Sequence, residues 1–245
     1  MFSDIIYQPP GAPWPKILFQ DKDVLVIEKP SGLLSNPGRQ PHLQDSVQTR
    51  LSEQFTALYL IHRLDLATSG LMVFALRRKA EAALKQQFAN RSIDKTYLAR
   101  VAGVPVNSSG CINLPLGPDP QQQAGEAPRH QVDVAQGKSA ITYYRTLCCD
   151  HNSALVQLKP ITGRSHQLRV HLASIGHPIL GDTIYAEPAS QRAASRLLLH
   201  ATELTFFHPY SEERLRFINL PDVAAFGLDS VPPLFSTAQM LTITD

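Results

Sequence analysis

The chain has little cysteine: Cys111, Cys148 and Cys149 are its only three, odd in number and without a Cys-x-x-Cys pair. That excludes a disulfide framework and a thiolate zinc site, and it fits a reducing cytoplasm. No apolar run approaches the roughly 18 residues that a membrane span needs, and Met1 to Lys16 has no basic segment leading into an apolar one. A soluble protein kept in the cell, with no membrane partner, is therefore expected. No Walker-type or Rossmann glycine motif is present, so nothing calls for a bound nucleotide cofactor. Acid is missing where base is not. Between His151 and Gly181 there is no Asp or Glu, while Lys159, Arg164, Arg169 and four histidines occur.

What is present is enough for a sizeable core: 245 residues at 43% hydrophobic content, one large domain or two small ones. Net charge is only +2. Its distribution is uneven, because Arg77 to Arg100 holds seven Lys or Arg against Glu81 and Asp94. A charge run alone is ordinarily a solvated face. Two basic regions in a chain with one candidate catalytic acid, Asp65, point instead toward a polyanionic substrate.

Residues 1–15 carry a proline-rich arm, with Trp14 as its expected anchor. Short strands are predicted at Lys16 to Gln20 and Val24 to Glu28, then a helix capped by Asp45-Ser46 with Val47, Leu51 and Phe55 four apart. Strands near residues 58–63 and 71–76 bracket a turn at Asp65, and Leu84 with Phe88 marks a helix over 79–91. Lys95 to Val101 alternates, with Tyr97, Ala99 and Val101 on one face. Pro118 to Gly137 is polar and reads as a mobile loop or irregular insertion. Strands follow near Ala140 to Leu147 and Ala154 to Leu158. Thr162-Gly163 opens a helix with Leu168, Leu172 and Ile175 buried, and Leu204 to Phe207 is a further strand. Elements alternate without a regular repeat, which gives an α+β domain on a mixed sheet. The domain spans 16–221, and 222–245 is an extension, either packed or flexible.

On residue types alone, Asp65 reads first as an Asx-turn residue, with Thr68 and Ser69 completing the turn, and only second as a catalytic acid. Arg63 and His62 fit caps on a strand edge, Arg169 a helix flank, and Tyr97 a half-buried aromatic. The string around Asp65 goes further. His62-Arg63-Leu64-Asp65, followed by Thr68-Ser69-Gly70-Leu71, resembles the active-site motif of the RluA family of pseudouridine synthases. Lys29-Pro30-Ser31-Gly32-Leu33, Lys95-Thr96-Tyr97, the run from Gly163 to His171, Gly176 to Asp182, and Leu197 to Ala201 resemble the same family in matching chain order.

The resemblance implies the pseudouridine synthase fold: one catalytic domain on a largely antiparallel mixed sheet flanked by helices, with no S4-like domain before the first strand. It implies Asp65 as the catalytic residue, Arg169 as the guanidinium that keeps it ionised, and Tyr97 against the target uracil. Arg63 and His62 would face the RNA. Lys95, Arg164 and Lys159 would meet phosphates, and Leu168 and His200 would shape the pocket. The reaction breaks N1–C1′ of a uridine, turns the base and joins C5 to C1′, an isomerisation needing neither cofactor nor metal. Asp65 would either attack C1′ or take a ribose proton. The target nucleotide must leave its stack, which is cheapest in RNA loops.

Within the family, the Tyr7-Gln8-Pro9-Pro10 arm and the Leu34 to Arg39 loop resemble a dual-specificity member. That likeness implies a monomer acting on transfer RNA and 23S ribosomal RNA, at uridine 32 of anticodon loops and uridine 746. A relative acting at another uridine, a glycosylase releasing free uracil, and a non-catalytic RNA-binding protein are the competing readings. A metal hydrolase through His166, His171 and His177 is disfavoured by their spacing.

Overall fold

A computed structural model of the chain describes residues 7–11, 15–122 and 128–241. In chain order the strands are β1 Lys16–Gln20, β2 Val24–Lys29, β3 Tyr59–Leu60, β4 Ser69–Ala75, β5 Asp94–Ala102 and β6 Ser109–Asn113. They continue with β7 Leu116–Pro118, β8 His130–Val132, β9 Ile141–Cys149, β10 Ser153–Pro160, β11 Leu199–Phe207 and β12 Arg214–Ile218. The helices are α1 Val47–Ser52, α2 Arg78–Ala89, α3 Gln167–Ser174, α4 Pro188–Arg192 and α5 Thr237–Leu241. These elements make two compact units, each assembled from separated stretches: Tyr7–Lys95 with His200–Pro221, and Thr96–Leu199 with the stretch from Asp222.

The first unit is organised around β4, which is buried along its whole length. On one side β2 runs antiparallel to it, in a register that sets Leu25 opposite Phe74 and Lys29 opposite Gly70, and β1 pairs with β2. The other side is shared: β3 pairs antiparallel with its far end, while β11 pairs parallel with its start through Ala201 and Gly70. That parallel contact needs a glycine. Gly70 has φ of +114°, and a Cβ there would stand 2.3 Å from the Ala201 carbonyl oxygen. The hairpin partner β12 then extends β11.

Helix α2 is built from good helix formers, and Glu81 pairs with Arg78 and Lys85 on its exposed side. Those pairs contribute only a few tenths of a kcal/mol each. Its inner side, Ala80 and Leu84, packs on Val24, Val26, Leu71 and Val73, and burial of Leu84 alone is worth about 2 kcal/mol. The proline-rich arm is held where it is described. Tyr7 donates its hydroxyl to the Asp45 carbonyl and accepts from the Leu34 N–H, and Arg50 bonds the Pro10 carbonyl. Trp14, the expected anchor, lies outside the described residues.

In the second unit the antiparallel order is β5, β10, β9, β6. Register fixes its faces. Tyr97 lies opposite Leu158 and Leu158 opposite Tyr144, so these share one face with Val156 and Thr142, whereas Gln157 and Lys159 point to the other. Helix α3 lies on the Tyr97 face, because Gln167 and His171 both bond the Thr142 hydroxyl. The helix begins at Gln167, not at the expected Thr162-Gly163. The Gln167 side chain explains the delay: it accepts from the Thr162 hydroxyl and the Arg164 N–H and donates to the Ile141 carbonyl, holding 162–166 as a bonded turn.

One region differs from the sequence reading, and a second falls on one side of a choice that reading left open. The polar stretch expected to be loose is closed at its ends by the β7–β8 pair, with Asp133 capping the turn that follows. Residues 123–127 lie outside the described set. The C-terminal extension is anchored at three points along its described length. Phe226 and Met240 are buried, and Phe235 is gripped by Gln157, whose amide donates to its carbonyl (2.7 Å) and accepts its N–H (2.8 Å).

Candidate active site

Asp65 sits half-buried on the loop between β3 and β4, and the peptide carbonyls of Leu64, Asp65, Leu66 and Ala67 each have a donor. The Ser35 hydroxyl gives its proton to the Leu64 carbonyl (2.7 Å) and accepts the Leu64 N–H (3.1 Å). The Asp65 carbonyl takes the Thr68 N–H, the Leu66 carbonyl takes the Gly32 N–H, and the Ala67 carbonyl takes the Ser31 hydroxyl (2.7 Å). The Lys29-Pro30-Ser31-Gly32 turn thus acts as a template for the Asp65 loop. With four consecutive carbonyls satisfied, the loop has one strongly favoured conformation.

Lys29 is the surprise of this region. A lysine ending a strand is ordinarily exposed, yet this one is 0% exposed. Its ammonium donates to the carbonyls of Pro30 (2.8 Å), Leu33 (2.6 Å) and Leu66 (3.0 Å), knotting the two loops together. Burial pushes its pKa down to about 7, and the charge of Asp65 opposes that fall.

The neighbours of Asp65 divide by role. Arg63 is exposed and has no hydrogen-bond or ion-pair partner among the described residues. His62 turns inward: its Nε2 accepts the Val73 N–H at 3.1 Å, and its ring stacks on Phe88 at 4.7 Å. Burial, with the charge of Lys95, pushes its pKa down to about 3, so the ring is neutral and serves as acceptor for a backbone N–H within β4. Lys95 itself lies 5.9 Å over the Phe88 ring. His200 is buried between Ser69 and Asn219. Its Nε2 faces two acceptors on Asn219, the carbonyl (3.0 Å) and Oδ1 (2.9 Å), so it carries the proton and Nδ1 accepts from the Ser69 hydroxyl (2.8 Å).

The second unit holds the other expected residues. Tyr97 is half-buried on the α3 face of its sheet, and Leu168 is buried on α3. Arg169, 4% exposed, forks onto Asp182, 1% exposed, through Nε (2.8 Å) and Nη2 (2.7 Å). Burial alone would raise the Asp182 pKa, but Arg169 and the N–H groups of Ile184 and Tyr185 outweigh it and hold the carboxyl below its usual range. Gly181, beside it, has φ of +75°, and a Cβ there would meet the Arg196 carbonyl. Arg164 is half-buried and donates to the Ser139 carbonyl.

Lys159 requires a correction. It is 4% exposed, points to the sheet face opposite Tyr97 and α3, and gives its ammonium to the Thr237 hydroxyl (3.0 Å) under the C-terminal extension. A phosphate could reach it only with that extension lifted. The expected phosphate contact requires an accessible ammonium, whereas all eight positions of β10 are buried.

The histidines do not converge on a metal. His166 bonds Tyr185, His171 lies between Thr142 and the Leu114 carbonyl, and His177 bonds the Ala102 carbonyl. Among the described residues, one group has ligand spacing, Asp21, Asp23 and His208. There Nδ1 of His208 accepts the N–H groups of Tyr210 and Ser211, so the neutral ring keeps its proton on Nε2, facing Asp21 at 2.9 Å. A metal at Nε2 would have to displace that proton and leave an imidazolate. Asp21 and His208 form a hydrogen-bonded clamp on the β1–β2 turn, while the buried Asp23 carboxylate has no hydrogen-bond partner among the described residues and has Arg77 at 3.5 Å.

Comparison with known proteins agrees with this picture. The family model described as RNA pseudouridylate synthase matches residues 23–174. The chain is 49% identical over 204 residues to the dual-specificity RNA pseudouridine synthase RluA of Escherichia coli (strain K12), covering 83% of this chain and 91% of that one. It is 45% identical over 214 residues to the protein of the same name from Haemophilus influenzae, covering 87% and 96%. Among solved structures, human RNA pseudouridylate synthase domain containing 1 superposes with a TM-score of 0.73 at 29% identity, over 96% of each chain. Human RNA pseudouridylate synthase domain containing 4 gives 0.66 at 30% identity, over 84% of this chain and 88% of that one.

Proposed function

The chain belongs to the RluA family of RNA pseudouridine synthases, a family of isomerases, and from that premise we propose a substrate and a set of working residues. The substrates are loops of transfer RNA and of 23S ribosomal RNA, with uridine 32 of anticodon loops and uridine 746 as the target positions. The reading draws on the dual specificity named for relatives close to half identical over most of their length. The protein works as a monomer in the cytoplasm, on 16–221 as its catalytic domain.

Asp65 starts the reaction as a carboxylate, by attack on C1′ or by removal of a ribose proton. Either route breaks N1–C1′ and lets the uracil turn within the site; as C5 joins C1′, the Asp65–C1′ bond breaks in the first route, or Asp65 returns the ribose proton in the second, and the C5 proton ends on N1, so atoms and charge balance without a co-reactant. Tyr97 stacks on the uracil and assists that last proton removal, and Arg169 supplies the guanidinium that favours the ionised carboxylate. Arg63, exposed two residues before Asp65, fills the space of the extruded nucleotide or holds its phosphate. Lys95 and Arg164 are phosphate contacts, and Leu168 and His200 shape the pocket from within their units. His62 serves the loop and not the RNA.

The observation that carries the reading is the pinned Asp65 loop: the fold spends a buried lysine, two serine hydroxyls and two N–H groups on holding one acid in place. In cells lacking the gene, pseudouridine mapping of total RNA should show uridine 32 and uridine 746 unmodified. If both stay modified, the substrate assignment fails. Asp65→Asn should keep RNA binding and lose product, whereas abasic RNA as product would mean a glycosylase.

A further inference from the structure

Tyr185 stands at the meeting point of four groups in the second unit. Its ring lies under the Arg169 guanidinium, 5.0 Å from centroid to Cζ. Its backbone N–H bonds the same Asp182 carboxylate that grips Arg169 (3.1 Å). Its hydroxyl accepts the His130 N–H from β8 (2.9 Å) and bonds Nδ1 of His166 (2.7 Å). His166 is the N-cap of the helix that carries Arg169, and it holds a left-handed conformation, φ of +54°, that non-glycine residues adopt only when their surroundings enforce it.

Asp182 fixes one edge of the guanidinium, but an edge-on fork leaves the group able to rock about the axis of that contact. An aromatic face beneath it removes the rocking, and the attraction of a cation for that face is strongest where water is excluded. Here the cation is nearly fully buried. The ring in turn is immobilised from its far end, by a strand of the β7–β8 pair on one side and by the start of α3 on the other.

We propose that Tyr185 is a positioning residue for Arg169, and that the β7–β8 pair, through the N–H of His130, sets the plane in which the guanidinium is presented. The proposal rests on the reading of Arg169 as a working residue. It assigns a purpose to the strand pair that the polar sequence conceals: the pair braces the platform under a catalytic cation.

The test is single-turnover conversion of a uridine-containing RNA stem-loop, with RNA affinity and melting measured alongside. Tyr185→Leu removes platform and tether and should slow conversion about thirtyfold; Tyr185→Phe keeps the ring and should slow it about threefold. Affinity for the stem-loop should stay within about twofold for both. In an Arg169→Lys background the Tyr185→Leu loss should shrink to about threefold, because the group being positioned has already gone. A full thirtyfold loss in both backgrounds, a loss carried by RNA affinity, or a wild-type rate in Tyr185→Leu overturns the proposal. If Tyr185→Leu does not melt cooperatively, Tyr185→Phe decides, and a wild-type rate there overturns the tether. An Arg169→Lys enzyme as fast as wild type overturns the reading beneath the proposal, a result distinct from a slow Arg169→Lys beside a fast Tyr185→Leu.

Discussion

Replacing Lys29 by Met keeps the length of the side chain and removes its charge, and the outcome depends on pH in a direction that can be worked out. Folding carries the Lys29 pKa from 10.5 to about 7. Between those values the unfolded chain binds a proton that the folded chain does not, so wild-type stability rises with pH across that window and is flat below it. At about 1.4 kcal/mol per pH unit, the rise from pH 6 to pH 10 amounts to roughly 4 kcal/mol. The Met variant lacks this titration. It also leaves the Pro30 and Leu33 carbonyls without the Lys29 donor, at about 1–3 kcal/mol each, while Leu66 keeps the Gly32 N–H. The difference in unfolding free energy, wild type minus Lys29→Met, measured by denaturant titration at each pH, should therefore climb by roughly 4 kcal/mol from pH 6 to pH 10. The other groups titrate in both proteins and cancel. A flat difference, or one that falls with pH, would show that the buried amine is not the proton-releasing group inferred from its surroundings.

Gly70→Ala should cost more than about 3 kcal/mol, read from thermal melting, because the new methyl would overlap the Ala201 carbonyl. Asp182→Asn leaves Arg169 buried without its counter-charge and should destabilise by about 3–5 kcal/mol, with a near-unchanged midpoint counting against the pair. His62, held near pKa 3, should show no imidazole titration by NMR between pH 5 and pH 8; a midpoint in that range would refute its buried, accepting role. Removing residues 235–245 should raise amide exchange in β10 and expose Lys159, and unchanged protection would mean that the extension does not cover that face.

The sequence made half of the strands legible because their apolar content is high: β1, β2, β4, β5, β9 and β10 fall within a residue or two of expectation, whereas β6 and β12 were not expected. Where it misled or left a choice open, the deciding feature was too short to show a rhythm or had its partner far along the chain. The β7–β8 pair is two three-residue strands in a polar run, too short to show alternation. In the 222–245 extension, Phe235 is held by Gln157, a pairing across 78 positions. Lys159 looked exposed because β10 is buried on both faces and therefore shows no polar-out rhythm that would assign its side. Lys29 and Tyr185 lay inside quoted or adjacent motifs, yet their burial and their partners were invisible, since nothing in a side chain's type states which carbonyls or cations the fold will bring to it.

The pinned Asp65 loop has a mechanical consequence. On the role proposed for Asp65, a carboxylate carried on a segment with four consecutive bonded carbonyls cannot be steered far to meet its target, so the cost of fitting falls on the nucleic acid. Selection among RNA loops then becomes partly a test of compliance: a loop that opens and turns out its uridine cheaply is a good substrate, and a stiff one of identical sequence is a poor one. The protein serves as a fixed jig, and the RNA is the part that bends.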